Sequence, residues 1–266
     1  MTAQRGGTAG TAPLQAARPD QDDVLGAVFD DDYLLLHDPL VDAPRSDKEV
    51  AVALQVLEPP PGGRLLDLCC GHGRLANRLA AQGFQLDGLD GSAVFLERAA
   101  ADAAAAGVKV DYRRGDAAAL PYADASFDGI LCWFTSFGLG DDAKNRSILA
   151  EACRVLKPGR RLAIDLVNPY YIVMGFQRHA VQENAGRTMI DVQEFDVATG
   201  RFWIDRRFIG GGRPERRLRF FIRQFTLPEI RDWLLQAGFA WVEAVDGDGG
   251  PFLPSSAAMV VVAGKA

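Results

Sequence analysis

From Arg64 to Asn168 the chain alternates short apolar runs with helix-forming stretches, and this alternation constrains the fold more than any other feature. The strand-like runs are "RLLDLCC", "FQLDGLD", "VKVDYRRGD", "FDGILCWF" and "RLAIDLVN". Between them lie "GRLANRLAAQG", "SAVFLERAAADAAAAG" and "DAKNRSILAEACRVLKPG", which read as helices. Strands separated by helices pair in parallel, with the helices covering both faces of the sheet, so the pattern predicts an α/β fold. In open parallel sheets, ligands bind beyond the carboxyl ends of the strands, where the strand order reverses. The strand ends are therefore the place to look for function, and acids stand there in succession: Asp67, Asp90 and Asp116.

The flanking segments extend this plan. Residues 1–22 are rich in Gly, Ala, Thr and Pro, lack the continuous apolar segment of a signal peptide, and read as a disordered tail. Residues 23–60 read as a helical cap closed by the breaker "PPPGG". After the fifth strand the alternation stops. Residues 187–225 hold the runs "TMIDVQEFD", "RFWIDRRFI" and "ERRLRFFIRQF", separated by "ATG" and "GGGRP", which is turn chemistry for an antiparallel hairpin insertion. In the last run Leu218, Phe220 and Ile222 alternate with Arg217, Arg219 and Arg223, as in a strand with one apolar and one solvated face. The α/β pattern resumes with the helix "TLPEIRDWLLQAGF" and the strands "AWVEAVDG" and "AAMVVVAG". Residues 23–266 thus read as one domain.

The turn after the first strand, "GHGRLA", fits the G-x-G-x-x-G/A pattern that lays a pyrophosphate on a helix N-terminus. Asp67, four residues before it, weighs against a phosphate. Two unit negative charges about 4 Å apart repel by roughly 4 kcal/mol at an effective dielectric near 20. A cofactor that is cationic at this point suits the carboxylate better, and S-adenosylmethionine, with a sulfonium and an ammonium and no phosphate, is such a molecule. Taken singly, each acid would also serve as a helix N-terminal charge or a turn residue. Three of them at successive strand ends on one edge of one sheet point to a ligand.

The chain here resembles the class I S-adenosylmethionine-dependent methyltransferases of the small-molecule type, over roughly residues 45–168 and 226–264. Their first motif, an acid followed by G-x-G-x-G, appears as "DLCCGHG", with Asp67 as the acid, Gly71 and Gly73 as the later glycines and Cys69 in place of the first. The resemblance implies that Asp90 in "LDGLDGS" holds the ribose hydroxyls, with Gly91 and Ser92 beside it in the cofactor site, and that Asp116 and Ala117 meet the adenine amino group. It also implies that Cys132, Trp133 and Phe134 line the adenine and methionine. Tyr33 and Arg45 resemble cap residues that close over the methionine end. The implied fold is a Rossmann-like sheet with an antiparallel last strand, the helical cap and the hairpin insertion. The implied activity is methyl transfer from S-adenosylmethionine to an oxygen, nitrogen or carbon of a small molecule, with specialised metabolism as one setting.

Methyl transfer needs no obligatory base, because the sulfonium is already activated and in-line positioning supplies much of the barrier reduction. His37 and His179 are the weak candidates should a base be used. Two alternatives stand beside this reading: an NAD(P)-dependent oxidoreductase using "GHGRLA", although no Tyr/Lys pair of the short-chain type is evident, and a non-methylating cyclase or binding protein on the same scaffold. The net charge of −6 argues against a nucleic-acid partner. No apolar run reaches the roughly 20 residues needed to span a bilayer. The four cysteines show no metal-ligand spacing and read as reduced, so no metal and a cytoplasmic monomer or homodimer are expected.

Overall fold

The computed structural model describes residues 21–266. The tail expected over 1–22 lies outside the described residues, apart from Gln21 and Asp22 at the start of helix α1. The cap consists of α1 (Gln21–Val28), α2 (Asp31–His37), a 3-10 turn and α3 (Ala43–Leu57). Helix α3 begins where the Asp42 carboxylate accepts the Arg45 N–H at 3.0 Å, and it ends at Glu58, which turns left-handed (φ 45°) ahead of the prolines.

The central sheet forms from the predicted alternation. In chain order its first half runs β1 (Arg64–Leu68), α4 (Arg74–Ala81), β2 (Gln85–Asp90), α5 (Ala93–Ala105) and β3 (Val110–Arg114). The second half adds β4 (Gly129–Cys132), α6 (Asp142–Val155) and β5 (Arg161–Val167), followed by the short helix α7 (Pro169–Met174). Strands β1, β4 and β5 are buried on both faces, which is why their sequences read as unbroken apolar runs. Leu65, Leu131 and Ala163 pack on the α3/α4 side, while Leu66, Ile130, Leu162 and Ile164 pack toward α6 and the helix α8 (Leu227–Gln236).

After α7 the chain builds a separate antiparallel sheet from β6 (His179–Asn184), β7 (Arg187–Asp196), β8 (Arg201–Gly210) and β9 (Arg216–Arg223). This sheet starts eight residues before the expected 187, at a strand, "HAVQEN", whose side chains are mostly exposed. With no buried face, β6 has no apolar period for sequence reading to detect. Past α8 the chain returns to the central sheet as β10 (Trp241–Val245) and β11 (Ala258–Gly264). The strand order is β10-β11-β5-β4-β1-β2-β3, with β11 antiparallel to both neighbours, as expected of the last strand. The order reverses between β1 and β4, and the cavity opens beyond that point.

The small sheet forms a roof over that edge. Its inner face, with Ile204 and Phe220, packs on Val28, Phe29 and Tyr33 of the cap. A buried ion cluster fastens the two: Asp32 of α2 accepts from Arg187 at 2.8 Å, Arg213 at 2.7 Å and Arg216 at 3.0 Å. Burial by itself would raise the Asp32 carboxyl, but the bonds from Arg187 and Arg213 hold it below its ordinary value. Arg217 and Arg219 face outward as the alternation predicts, whereas Arg223 is only 8% exposed. Its backbone N–H bonds Gly138 O, and its guanidinium meets Glu229 and Gln224 O, so a loop and α8 cover what sequence alone assigns to solvent.

Candidate functional site

The carboxyl ends of the central strands, the cap and the roof enclose a cavity of about 960 Å³. Its floor is the turn after β1. Cys69 takes a left-handed conformation (φ 58°), as does Gly71 (φ 55°), so the chain doubles back and leaves backbone N–H groups facing the end of β2. There Asp90 accepts the Gly71 N–H at 2.9 Å on one oxygen and the Ser92 N–H at 2.8 Å on the other. Burial raises the Asp90 carboxyl, against the pull of the N–H groups of Ser92, Gly71 and Gly91. The side chain is thereby fixed in place, with lone pairs left for further donors.

Asp67, Cys69, Gly71, Asp90, Gly91 and Ser92 all border the cavity, together with Asp116, Ala117, Trp133, Phe134, Tyr33 and His37. The Ser92 hydroxyl is already engaged, since it caps α5 by accepting the Phe95 N–H at 3.3 Å and donates to Phe29 O at 2.9 Å. Asp67 is 3% exposed, and burial pushes its carboxyl up to about 7, with Asp90 adding to the rise and Arg74 opposing it. A carboxylate in that state gains from a cation placed beside it. Asp116 accepts the Ala118 N–H at 3.0 Å and stands 3.6 Å from the Lys144 ammonium, at the outer end of the cavity.

Four expected residues stand off the wall. Gly73 is the N-cap of α4 (φ 74°), and a Cβ there would come 2.1 Å from the Tyr112 hydroxyl. Its glycine serves close packing of helix on strand, and it is not among the residues lining this cavity. Cys132 is buried behind Cys69, and a hydrogen bond with the Cys69 thiol, with burial, raises its thiol. Arg45 lies one layer back, bonded to Glu49 at 2.8 Å, with its guanidinium 5.1 Å from the centre of the Phe134 ring. His179, at the exposed start of β6, is not among the cavity residues.

His37 does line the cavity. Its ring stacks on Tyr33 at 3.8 Å, and Nδ1 donates to Tyr33 O at 3.0 Å, which leaves the lone pair on Nε2. Burial, with Arg206 adding, pushes its pKa down to about 4, so the ring is neutral at pH 7 and a poor proton acceptor. Burial also pushes the Tyr33 hydroxyl up to about 12.

Sequence reading missed Arg74, Glu49 and Asp165. Arg74, the first residue of α4, lines the cavity and pairs with the buried Glu49. Asp165 lies inside β5 and accepts the Phe134 N–H at 3.0 Å, and burial, helped by Glu49, lifts it to about 7. An acid within an otherwise apolar strand is the signal that could have revealed it. Phe134 and Thr135 both hold positive φ (61° and 57°), two adjacent non-glycine residues in a sparsely allowed region at the cavity wall.

Residues 65–159 match the family described as methyltransferase domain. The chain is 41% identical over 117 residues to 2-phytyl-1,4-naphtoquinone methyltransferase of Synechococcus elongatus, covering 41% of this chain and 48% of that protein. To the O-methyltransferase resE of Aspergillus sclerotiorum it is 34% identical over 160 residues, or 53% and 59% of the two chains. The chain spans about half the length of the curated relatives it matches. In fold it is similar to the CcbJ methyltransferase from Streptomyces caelestis, with a TM-score of 0.72, 19% identity and coverage of 92% and 98%. It is also similar to S-adenosylmethionine-bound CalS10, an amino pentose methyltransferase from Micromonospora echinaspora, at a TM-score of 0.60, 22% identity and coverage of 82% and 91%.

Proposed function

We infer that this chain is a class I S-adenosylmethionine-dependent methyltransferase that transfers a methyl group from that cofactor to a small molecule, a reading supported by the methyltransferase-domain match over residues 65–159 and by the fold. The observation that carries the reading is the division of the cavity. One half is lined by Asp67, Asp90 and Asp116 at the strand ends, and the other by apolar side chains of cap and roof, including Val28, Ile204, Phe220 and Ile222. One wall suits a cationic nucleoside and the other an organic acceptor.

The residues fit the cofactor. Asp90, immobilised by two backbone N–H groups, has acceptor capacity left for ribose hydroxyls. A Cβ at Gly91 would meet nothing within 4 Å, so the cavity is open beside it. Asp67, held near 7 by burial, is matched to a positive group, and a pyrophosphate at the same turn would meet its charge. Asp116 and Ala117, on the cavity wall, are the residues we assign to the adenine amino group, and Tyr33, on the cap wall with Arg45 one layer behind it, is the one we assign to the methionine end. Bound S-adenosylmethionine supplies an electrophilic methyl on a positive sulfur. The protein's part is to hold the acceptor in line, exclude water and accept little proton traffic, since His37 is a weak base and Tyr33 stays protonated.

The net charge of −6 supports a small molecule over a nucleic acid, and free thiols at Cys69, Cys70, Cys132 and Cys153 support a reducing, cytoplasmic setting. Among the described residues, no helix is long and apolar enough to cross a membrane. The test is transfer of label from methyl-labelled S-adenosylmethionine, with release of S-adenosylhomocysteine, across phenol, carboxylate, amine and carbon-acid acceptors. Binding of the cofactor with no transfer to any of them would favour the cyclase or binding-protein alternative.

A further inference from the structure

The roof sheet turns one face toward the cavity. Along that face β8 presents Ile204, Arg206 and Phe208, and β9 presents Leu218, Phe220 and Ile222. One side chain in this set is charged. Arg206 is 5% exposed and lines the cavity beside Ile204, Phe220 and Ile222. A guanidinium so placed needs a counter-ion, and the sheet provides one. Asp191, its cross-strand partner on β7, accepts from Nε and from Nη2 at 2.8 Å each.

Asp191 itself is 3% exposed and is not among the cavity residues, so the pair presents its cationic member to the cavity and its anionic member away from it. The carboxylate occupies one edge of the guanidinium. Nη1 on the other edge has no hydrogen-bond partner among the described residues, and the group lies 5.3 Å from the centre of the Phe220 ring. Packing alone gives no reason for this arrangement, because an apolar pair of similar volume is often as stable as a buried ion pair. Tyr33 and His37, the neighbouring titratable groups of the cap, are uncharged at neutral pH, so neither supplies an anion for Nη1.

On the reading that this cavity transfers a methyl group, we infer that the acceptor is a largely apolar compound bearing one oxyanion, and that Arg206 receives that oxygen on its Nη1 edge and sets acceptor specificity. A guanidinium fork in a water-poor wall binds a carboxylate or phenolate oxygen strongly and disfavours an ammonium. Where the oxyanion is a phenolate, Arg206 stabilises it after the hydroxyl proton has passed to solvent. The oxygen electron pair then forms the bond to the methyl carbon as the carbon–sulfur bond breaks, yielding a methyl ether and a neutral thioether. Where it is a carboxylate, the same contact anchors an acceptor that reacts at another atom.

The test titrates protein loaded with S-adenosylhomocysteine with 2-naphthol, 2-naphthoate, 2-methoxynaphthalene and 2-naphthylamine, followed by fluorescence. One of the two oxygen acids is expected to bind at least about tenfold more tightly than the ether and the amine. Naphthol with the spectrum of its anion identifies the reacting oxygen, and naphthoate identifies an anchor. The variant R206M/D191L, which removes both charges together, is expected to lose the preference while retaining cooperative melting and S-adenosylhomocysteine affinity. R206K keeps a charge opposite Asp191 without the planar fork and is expected to cut the preference roughly three- to tenfold. No oxyanion preference in the wild type, or one unchanged in both variants, overturns the inference. Failure of the wild type to bind S-adenosylhomocysteine at all would instead overturn the methyl-transfer reading.

Discussion

Replacing Asp67 with asparagine is expected to stabilise the unliganded protein at pH 8 while weakening its cofactor site. The carboxyl is 3% exposed, and burial lifts it from 3.8 to about 7. At about 1.4 kcal/mol per pKa unit, the ionised form is disfavoured in the folded chain by an upper limit of about 4 kcal/mol. Between 3.8 and about 7 the folded chain keeps a proton that the unfolded chain has released, so stability falls as pH rises through that window and levels off above it. Asparagine carries no charge and escapes the loss, although its amide needs partners of its own. The expected gain is about 1 to 3 kcal/mol at pH 8 and close to zero at pH 3.5. Other acids shift alike in both proteins and cancel from the difference. Chemical denaturation at the two pH values measures it, and calorimetry with S-adenosylmethionine is expected to show roughly tenfold or greater weakening, as the charge facing a cation is gone. A stability difference independent of pH, or a variant less stable than wild type at pH 8, would refute the reasoning.

Asp32→Asn is expected to cost about 3 to 5 kcal/mol by stranding Arg187 and its neighbours, and to expose the cap to limited proteolysis first. Because the Asp32 carboxyl is held low, its contribution is present above 3.8 and is lost as pH falls through its folded value, so the deficit should shrink in acid. Gly73→Ala drives a Cβ to 2.1 Å from the Tyr112 hydroxyl at positive φ, displacing the Tyr112–Asn77 bond of 2.8 Å. A loss of about 2 to 3 kcal/mol in denaturant melts is expected, with cofactor affinity retained in the folded fraction. His37→Gln is expected to lower turnover by less than about 10²-fold, and the wild-type rate should show no titration near 6.5. A larger loss in a folded, cofactor-binding variant would assign proton removal to this ring.

The central sheet and the floor of the site were legible because each depends on local pattern. Strand–helix alternation is written in apolar runs, and Asp67, Asp90 and Asp116 mark successive strand ends along the chain. The rest depends on contacts that sequence spacing does not encode. Arg206 shares a strand face with Ile204 and Phe208, but that this face turns to the cavity, and that Asp191 pairs with the guanidinium across the strands, is set by how the sheet packs. Arg223 occupies an outward position by alternation, yet a distant loop and α8 bury it. Gly73 and Cys132 lie in the right motifs one layer behind the wall, because one serves helix–strand packing and the other fills the core below the turn. His179 opens β6, the exposed edge strand of the roof, and is not among the cavity residues.

The central claim is that the acids at the strand ends bind S-adenosylmethionine, with Asp90 as the anchor. Isothermal titration calorimetry of S-adenosylhomocysteine and of nicotinamide dinucleotides against wild type and Asp90→Ala tests it most directly. Binding of the homocysteine product alone is expected, weakened in the variant by about 2 to 4 kcal/mol through loss of a buried hydrogen-bonded charge. Binding of the dinucleotide instead, or a dissociation constant for S-adenosylhomocysteine unchanged in a folded Asp90→Ala protein, would contradict the account.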